Sequence, residues 1–354
     1  MKRDLSISIS RGIGIILMVF AHASVYNYPN SMIYLFHMPL FFLLSGYCFK
    51  DKSLQSFPSY LARKIKTLYL PYVLVAVSAL FLHNYLMEIG VYGTKYPFQG
   101  AFDHMRTLPE TIGMTKKAII GMNATDNIVG GIWFLKQLFW GSLFLFAIAK
   151  AKRVPPLVWL LIIVAVFIAF DHFNYELPRL ELRGMTFLSL LFIYLGYLYR
   201  RHGHEAGRTA TIGMAIILFT VACFYSDSMF TATSFTLLPY TLLACIGSYL
   251  VFAFSRWLMT QNRLAPLASA LAYAGDHSLA ILILHFPAIK LVSLFIIKIY
   301  SLDEDMLSMH PTIADYSYRG WWLAYLLAGV TLPLAIQFTT RKAVTMLQRL
   351  AHSK

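Results

Sequence analysis

Apolar residues run through this chain in long stretches, separated by short clusters rich in Lys, Arg, Asn, Pro and Gly. Ten stretches approach the length of a membrane span, at residues 7–26, 32–49, 67–87, 131–149, 155–171, 185–200, 210–226, 235–254, 277–299 and 320–338. A bilayer core about 30 Å thick needs about 20 apolar residues in a helix. Backbone polar groups in lipid must be satisfied within the segment, which selects helices over isolated strands. The pattern predicts an all-α, polytopic transmembrane helical bundle of about ten spans. The first stretch is too long for a signal-peptide core, holds Arg11, and is followed by no small-x-small cleavage site, so it is expected to remain as the first span. Residues 88–130 mix Gly, Pro, Asn, Thr and charges and are expected to form a long exterior loop or lid. No repeat or linker divides the sequence, so residues 1–354 read as one membrane domain.

Composition supports this picture, and charge orients it. Only 13% of the 354 residues are charged, about half the share usual in soluble domains, and the mean hydropathy is +0.62. A net charge of +14 would suggest a nucleic-acid partner for a soluble chain, but here its distribution encodes topology. With the N-terminus inside, the cytoplasmic segments hold 19 Lys and Arg against four acidic residues, Asp4, Asp51, Glu205 and, at the edge of the ninth stretch, Asp276. The opposite side holds eight basic residues and twelve of the sixteen acidic ones. A Lys/Arg bias toward the cytoplasm sets orientation, so both termini are expected inside. Cys48, Cys223 and Cys245 have no CxxC spacing and read as small buried residues. The sequence lacks a phosphate-binding Gly-rich loop, HExxH, GxSxG and clustered metal-ligand spacing. An ATPase, a zinc protease and a serine hydrolase therefore lose support, and no metal is expected.

Against this apolar background the polar exceptions stand out. Arg11 and His22 lie inside the first stretch, eleven residues apart. Eleven helical steps return to about 20° of the starting direction and advance about 16 Å, so the two share one face. Ionisable residues within a span face a protein interior or a water-filled cavity and mark functional paths. Histidine also suits general-base work because it titrates near 6.5; the plainer alternative is a hydrogen-bonded packing residue. His37 follows the segment Asn27–Ser31, read as a short outer turn, which would set His22 and His37 at similar depth. In FHMPLFFLLSGY, residues 36–47, Pro39 frees a carbonyl and Ser45-Gly46 permits close helix approach, so a kinked packing helix is the favoured physical reading. Arg63, Lys64 and Lys66 border the third stretch. Positive-inside anchoring accounts best for their spacing, and a phosphate clamp is the sharper alternative. Trp133 opens the fourth stretch as an aromatic-belt residue, with Lys136 just inside it. Ser278 and His285 are seven residues apart on one helical face, with His285 in mid-span. Asn123-Ala124-Thr125 matches a glycosylation acceptor, a motif that recurs by chance.

Taken in order, these stretches resemble the acyltransferase-3 family of integral membrane acyltransferases, which modify bacterial surface polysaccharides, O-antigens, peptidoglycan and some small molecules. The resemblance runs from Arg11 to His285. It rests on the Arg-x10-His pair of Arg11 and His22, FHMPLFFLLSGY, Arg63-x-x-Lys66, Trp133-Phe134-Leu135, and Ser278 to His285. The family commonly has arginine at both positions of the basic pair, and Lys66 keeps the charge but loses the bidentate fork. The resemblance implies transfer of an acyl group, acetyl first among them, from cytoplasmic acyl-CoA to a glycan hydroxyl at the bacterial cytoplasmic (inner) membrane. Acyl-CoA is then a substrate, and no tightly bound cofactor is expected. His22 would be the general base, or the nucleophile of an acyl-histidine route, and Arg11 would orient the donor or balance charge. Arg63, Lys64 and Lys66 would hold the CoA phosphates, while His37, Ser45, Trp133, Ser278 and His285 would line the cavity. The implied partners are acyl-CoA, a glycan acceptor and the lipid bilayer, without nucleic acid; a homo-oligomer stays open. A transporter or flippase for a glycan or small anionic substrate would also need buried charges. The inverted repeats and paired broken helices of such proteins are not evident here. A non-enzymatic sensor and a membrane-bound O-acyltransferase of the other large superfamily are further alternatives, and the latter has a different motif order.

Overall fold

The computed structural model describes residues 4–24, 26–96, 104–123 and 126–352. Lys2, Arg3, Lys354 and the Ala124-Thr125 part of the sequon lie outside the described residues, as do the side chains of Lys52 and Arg349. The chain is 79% helical, with no strand among the described residues. The helices are α1 (Leu5–Ala23), α2 (Asn27–Tyr47), α3 (Phe57–Lys64), α4 (Leu70–Glu88), α5 (Leu108–Gly121), α6 (Trp133–Lys150), α7 (Pro156–His172), α8 (Gly184–His202), α9 (Arg208–Val221), α10 (Leu237–Met259), α11 (Ala265–Asp276), α12 (Ser278–Tyr300), the short α13 (Ala314–Tyr316) and α14 (Trp322–His352). A helix occupies each of the ten apolar stretches. Among the described residues, six helical segments are long and apolar enough to cross a membrane.

Two boundaries differ from the sequence expectation in ways that matter. Asn27–Ser31 is the first turn of α2 rather than a turn between helices. Pro29 is tolerated there because the first-turn N–H groups have no intrahelical partner. His22 therefore lies in the last turn of α1 and His37 in the middle of α2. The turn at Asn27–Ser31 on which the matched-depth argument for this pair rests is absent. Residues 88–130 also carry more order than a plain loop. Thr107 and Glu110 form a reciprocal capping box that starts α5, and Met122 ends it in a left-handed conformation.

The chain forms two compact units interleaved in sequence. One contains Met1–Tyr26, His83–Met105 and Trp257–Lys354; the other contains Asn27–Leu82 and Arg106–Arg256.

In the first unit, α1 packs most extensively on α11, and small residues set the contact. A Cβ added at Gly12 would overlap the Leu271 carbonyl, and one added at Gly275 would overlap the Ser8 carbonyl. Only glycine at both places lets the two backbones meet, the small-residue packing favoured between membrane helices. The Ser8 hydroxyl donates to Asp276 at 2.9 Å across the same crossing. Packing on α14 places the far end of α1. Phe20 meets Trp322 edge-on at 5.5 Å, and the Ser317 hydroxyl donates to the Ala23 carbonyl at 2.7 Å. That bond satisfies one of the orphan carbonyls at the helix end.

The second unit uses the same device between α2 and α8. A Cβ at Gly46 would strike the Ile193 carbonyl, and one at Gly196 would strike the Leu43 carbonyl. Ser45-Gly46 thus belongs to a packing face, as the physical reading of the 36–47 motif expected. The buried Arg106–Asp126 pair, 2.9 Å apart, ties the two ends of the α5 excursion together.

Candidate active site

The first unit gathers three histidines from distant parts of the sequence around one aromatic side chain. His22 comes from the last turn of α1, His285 from the second turn of α12, and His310 from the segment between α12 and α13. The His22 and His285 rings stack with centroids 5.5 Å apart. Phe286 lies 4.9 Å from His22, 4.0 Å from His285 and 4.6 Å from His310.

Helical geometry holds each of these groups. Arg11 and His22 stand on the single uninterrupted helix α1, with Arg11 half-buried. His285 is fully buried. Its Nδ1 donates to the carbonyls of Leu282 at 2.9 Å and Ile281 at 3.1 Å. Carbonyls only accept, so those contacts fix the proton on Nδ1 and leave Nε2 as a lone-pair acceptor. That Nε2 is buried and has no hydrogen-bond partner among the described residues. Buried polar atoms are nearly always paired, which makes this atom a candidate contact for a reacting group.

Lys290, about one turn beyond the His285–Phe286 pair, is buried in α12 and donates to the Leu307 carbonyl at 2.7 Å and also to the Met309 carbonyl. These bonds hold the segment that carries His310. Burial, with the Lys290 and His285 side chains beside it, holds the His310 imidazole down to about 3. His310 is therefore neutral at physiological pH. Tyr325 fastens the same segment from α14, its hydroxyl accepting from the Ile313 N–H at 3.3 Å and lying 3.0 Å from the Ser293 hydroxyl.

The remaining residues singled out from the sequence fall into two groups. Ser278 begins α12, two turns before His285 and half-buried. The others belong to the second unit. His37 is buried, with Nδ1 donating to the Ile33 carbonyl at 2.9 Å and its ring edge-on to Tyr34. Trp133 meets Phe230 edge-on at 4.7 Å. Lys136, buried just inside α6, donates to the Asn123 side-chain oxygen and to the Glu181 carbonyl at 2.9 Å. The Asn123 amide donates in turn to the Leu180 carbonyl at 3.1 Å. The sequon asparagine is thus committed to internal bonding.

The basic cluster divides as well. Arg63 is exposed, donates to the Ser53 hydroxyl at 3.1 Å and lies over the Tyr60 ring. Lys64 turns inward to the Ser142 hydroxyl at 2.9 Å. Lys66 is exposed within the π-helical turn Ile65–Tyr69. That turn changes the winding between Arg63 and Lys66, and wide turns of this kind recur at functional sites. Leu40, Leu44 and Tyr47 of the 36–47 motif line an apolar cavity of about 350 Å³ together with Tyr199, Cys245 and Phe252.

The sequence matches the acyltransferase-3 family model, an acyltransferase domain, over residues 4–338. The chain belongs to the acyltransferase-3 family. No curated protein and no solved structure matches it. In this acyltransferase-3 protein the match extends from the N-cap of α1 into α14 and so takes in Arg11, all three clustered histidines and the basic turn at 63–66. Membership supports an acyltransferase with multiple membrane helices. Neither Lys290 nor His310 was singled out from the sequence. Lys290 carried a readable signal as an ionisable residue in mid-span, whereas His310 carried none.

Proposed function

We propose that this protein is a membrane O-acyltransferase that moves an acyl group, acetyl first among the candidates, from cytoplasmic acyl-CoA to a hydroxyl of a cell-surface glycan or its lipid-linked precursor. The observation that carries the reading is the acyltransferase family match along nearly the whole chain. The His22–His285 pair supplies a place for the chemistry. In this reading the protein resides in the bacterial cytoplasmic membrane and crosses it ten times, with both termini inside, and residues 1–354 act as one functional domain. The agreement of ten helices with ten apolar stretches supports the span count, and the Lys/Arg bias supports the orientation.

The reaction replaces a thioester by an oxygen ester. The acceptor oxygen gains the acyl carbon, the carbon–sulfur bond breaks, and the hydroxyl proton ends on the CoA sulfur. A group that holds that proton in transit is worth typically 10²–10⁴-fold in rate. His22 is assigned to the acyl group and the acceptor hydroxyl, as general base or as nucleophile. Arg11, on the same helix toward the cytoplasmic end, orients the donor. Arg63 and Lys66 are exposed and suited to CoA phosphates. Lys64, turned to Ser142, supports that turn from within.

The test compares the mass of surface polysaccharide from cells with and without the protein. The proposal predicts a mass difference of one acyl group per modified unit, acetyl if acetyl-CoA is the donor. Identical masses, with the protein present in the membrane, contradict it.

A further inference from the structure

His285 is the buried histidine that stacks on His22. His285 has the attributes of a general base. Its Nδ1 proton is pinned by the Ile281 and Leu282 carbonyls, which fixes ring orientation and tautomer as the third member of a nucleophile–base–orienter arrangement does. Its Nε2 carries the lone pair, is buried, and makes no hydrogen bond among the described residues. The stacked geometry matters too. With ring planes 30° apart and centroids 5.5 Å apart, the two imidazoles lie face to face and can present their edges to the same reacting group. A dyad linked edge to edge would have used this Nε2 in the link. The Phe286 ring is in contact with both imidazoles.

We propose that His285 Nε2 accepts the proton of the acceptor hydroxyl, and that His22 is the nucleophile that carries the acyl group. This rests on the acyltransferase reading above and chooses between the two routes that reading leaves to His22. In the first half, a His22 ring nitrogen bonds to the thioester carbon, the carbon–sulfur bond breaks, and the proton on the other His22 nitrogen passes to the CoA thiolate. In the second half, the acceptor oxygen bonds to the acyl carbon and its proton moves to His285 Nε2. The carbon–nitrogen bond breaks and its electron pair returns to His22. The proton on His285 then returns to His22, so both imidazoles end neutral and the products are the ester and CoA thiol.

The experiment uses full-length protein in lipid vesicles, acetyl-CoA labelled in the acetyl group, and surface polysaccharide isolated from cells that lack the protein. The informative variant is His285→Asn, whose amide can still donate to the two carbonyls but has no Nε2 lone pair. Melting curves establish that it folds. The proposal predicts that transfer to polysaccharide falls by about 10²–10⁴-fold, while labelled acetyl accumulates on the His22 peptide in one burst per protein. Transfer within about threefold of wild type overturns it. So does loss of transfer without label on His22, since a base needed only in the second half leaves the first half intact. If His285→Asn does not fold, His285→Ala with added imidazole gives the same decision: restored transfer supports the proposal, and unrestored transfer by folded protein refutes it. A wild-type protein that moves no acetyl group points to failure of the acyltransferase reading instead.

Discussion

Breaking the Arg106–Asp126 pair would test how the excursion around α5 is held. The Arg106 Nη1 and Asp126 Oδ2 atoms are 2.9 Å apart, and the side chains are 4% and 0% exposed. Water therefore cannot compensate either charge once its partner is gone. Asp126→Leu takes the 2.9 Å carboxylate from a buried guanidinium, and Arg106→Met takes the guanidinium from a buried carboxylate. Each is expected to cost about 3–5 kcal/mol, whereas replacing both together by apolar residues is often close to neutral. The double variant should recover most of the loss, so the coupling energy approaches the sum of the two single costs, about 6–10 kcal/mol. The assay is denaturant unfolding of detergent-solubilised protein across the double-mutant cycle. Protease cleavage within residues 106–126 provides a local readout. Single variants that each lose less than about 1 kcal/mol and add without coupling would refute the reasoning, because they would behave as a solvated surface pair.

Three further outcomes follow from the packing and the site. Gly12→Val drives side-chain atoms into the Leu271 carbonyl, an overpacking worth about 1–3 kcal/mol; it should lower both the melting temperature and acyl transfer, because His22 rides on the same helix, and wild-type values for both would contradict the close crossing. His310 titrates near 3 when folded against 6.5 in the free side chain, so between those values the unfolded chain binds a proton that the folded chain refuses. Its contribution is intact above about pH 6.5 and is lost as pH falls toward 3, by about 1–2 kcal/mol near pH 5 after allowance for partial exposure; His310→Phe should flatten the acid limb of a stability–pH curve, and an unchanged limb would refute this. Lys66→Ala should raise the apparent KM for acyl-CoA severalfold with little change in kcat, and an unchanged KM removes Lys66 from the donor clamp.

Helix placement was legible because burial in lipid leaves a strong signature. A run of about 20 apolar residues has few other uses, and all ten predicted stretches coincide with helices. The misreadings fall where the signal was local and polar. NYPNS at 27–31 looked like a turn, but Pro29 fits the opening of a helix. The TLPE capping box at 107–110 was readable as a helix start and lay hidden in a segment read by its composition. Helix α11 escaped because its twelve residues are too short for a span, yet Gly275 within it allows the close approach that seats α1.

For the site, the Arg11–His22 spacing on one helix could be derived from the 3.6-residue period. Its partner could not. His22 and His285 are 263 positions apart, and no periodicity connects them; only the packing of α1 and α12 in one unit does. His37, equally prominent in the sequence, bonds to its own helix in the other unit.

Acetyl transfer by wild-type protein and by His22→Ala in lipid vesicles tests the central claim most directly. Both proteins would be supplied with labelled acetyl-CoA and surface polysaccharide from cells lacking the protein, and both checked for folding and membrane insertion. The account predicts label on the polysaccharide with wild type, and at least about a 10²-fold loss with a fully inserted His22→Ala protein. Transfer by His22→Ala at the wild-type rate would contradict it.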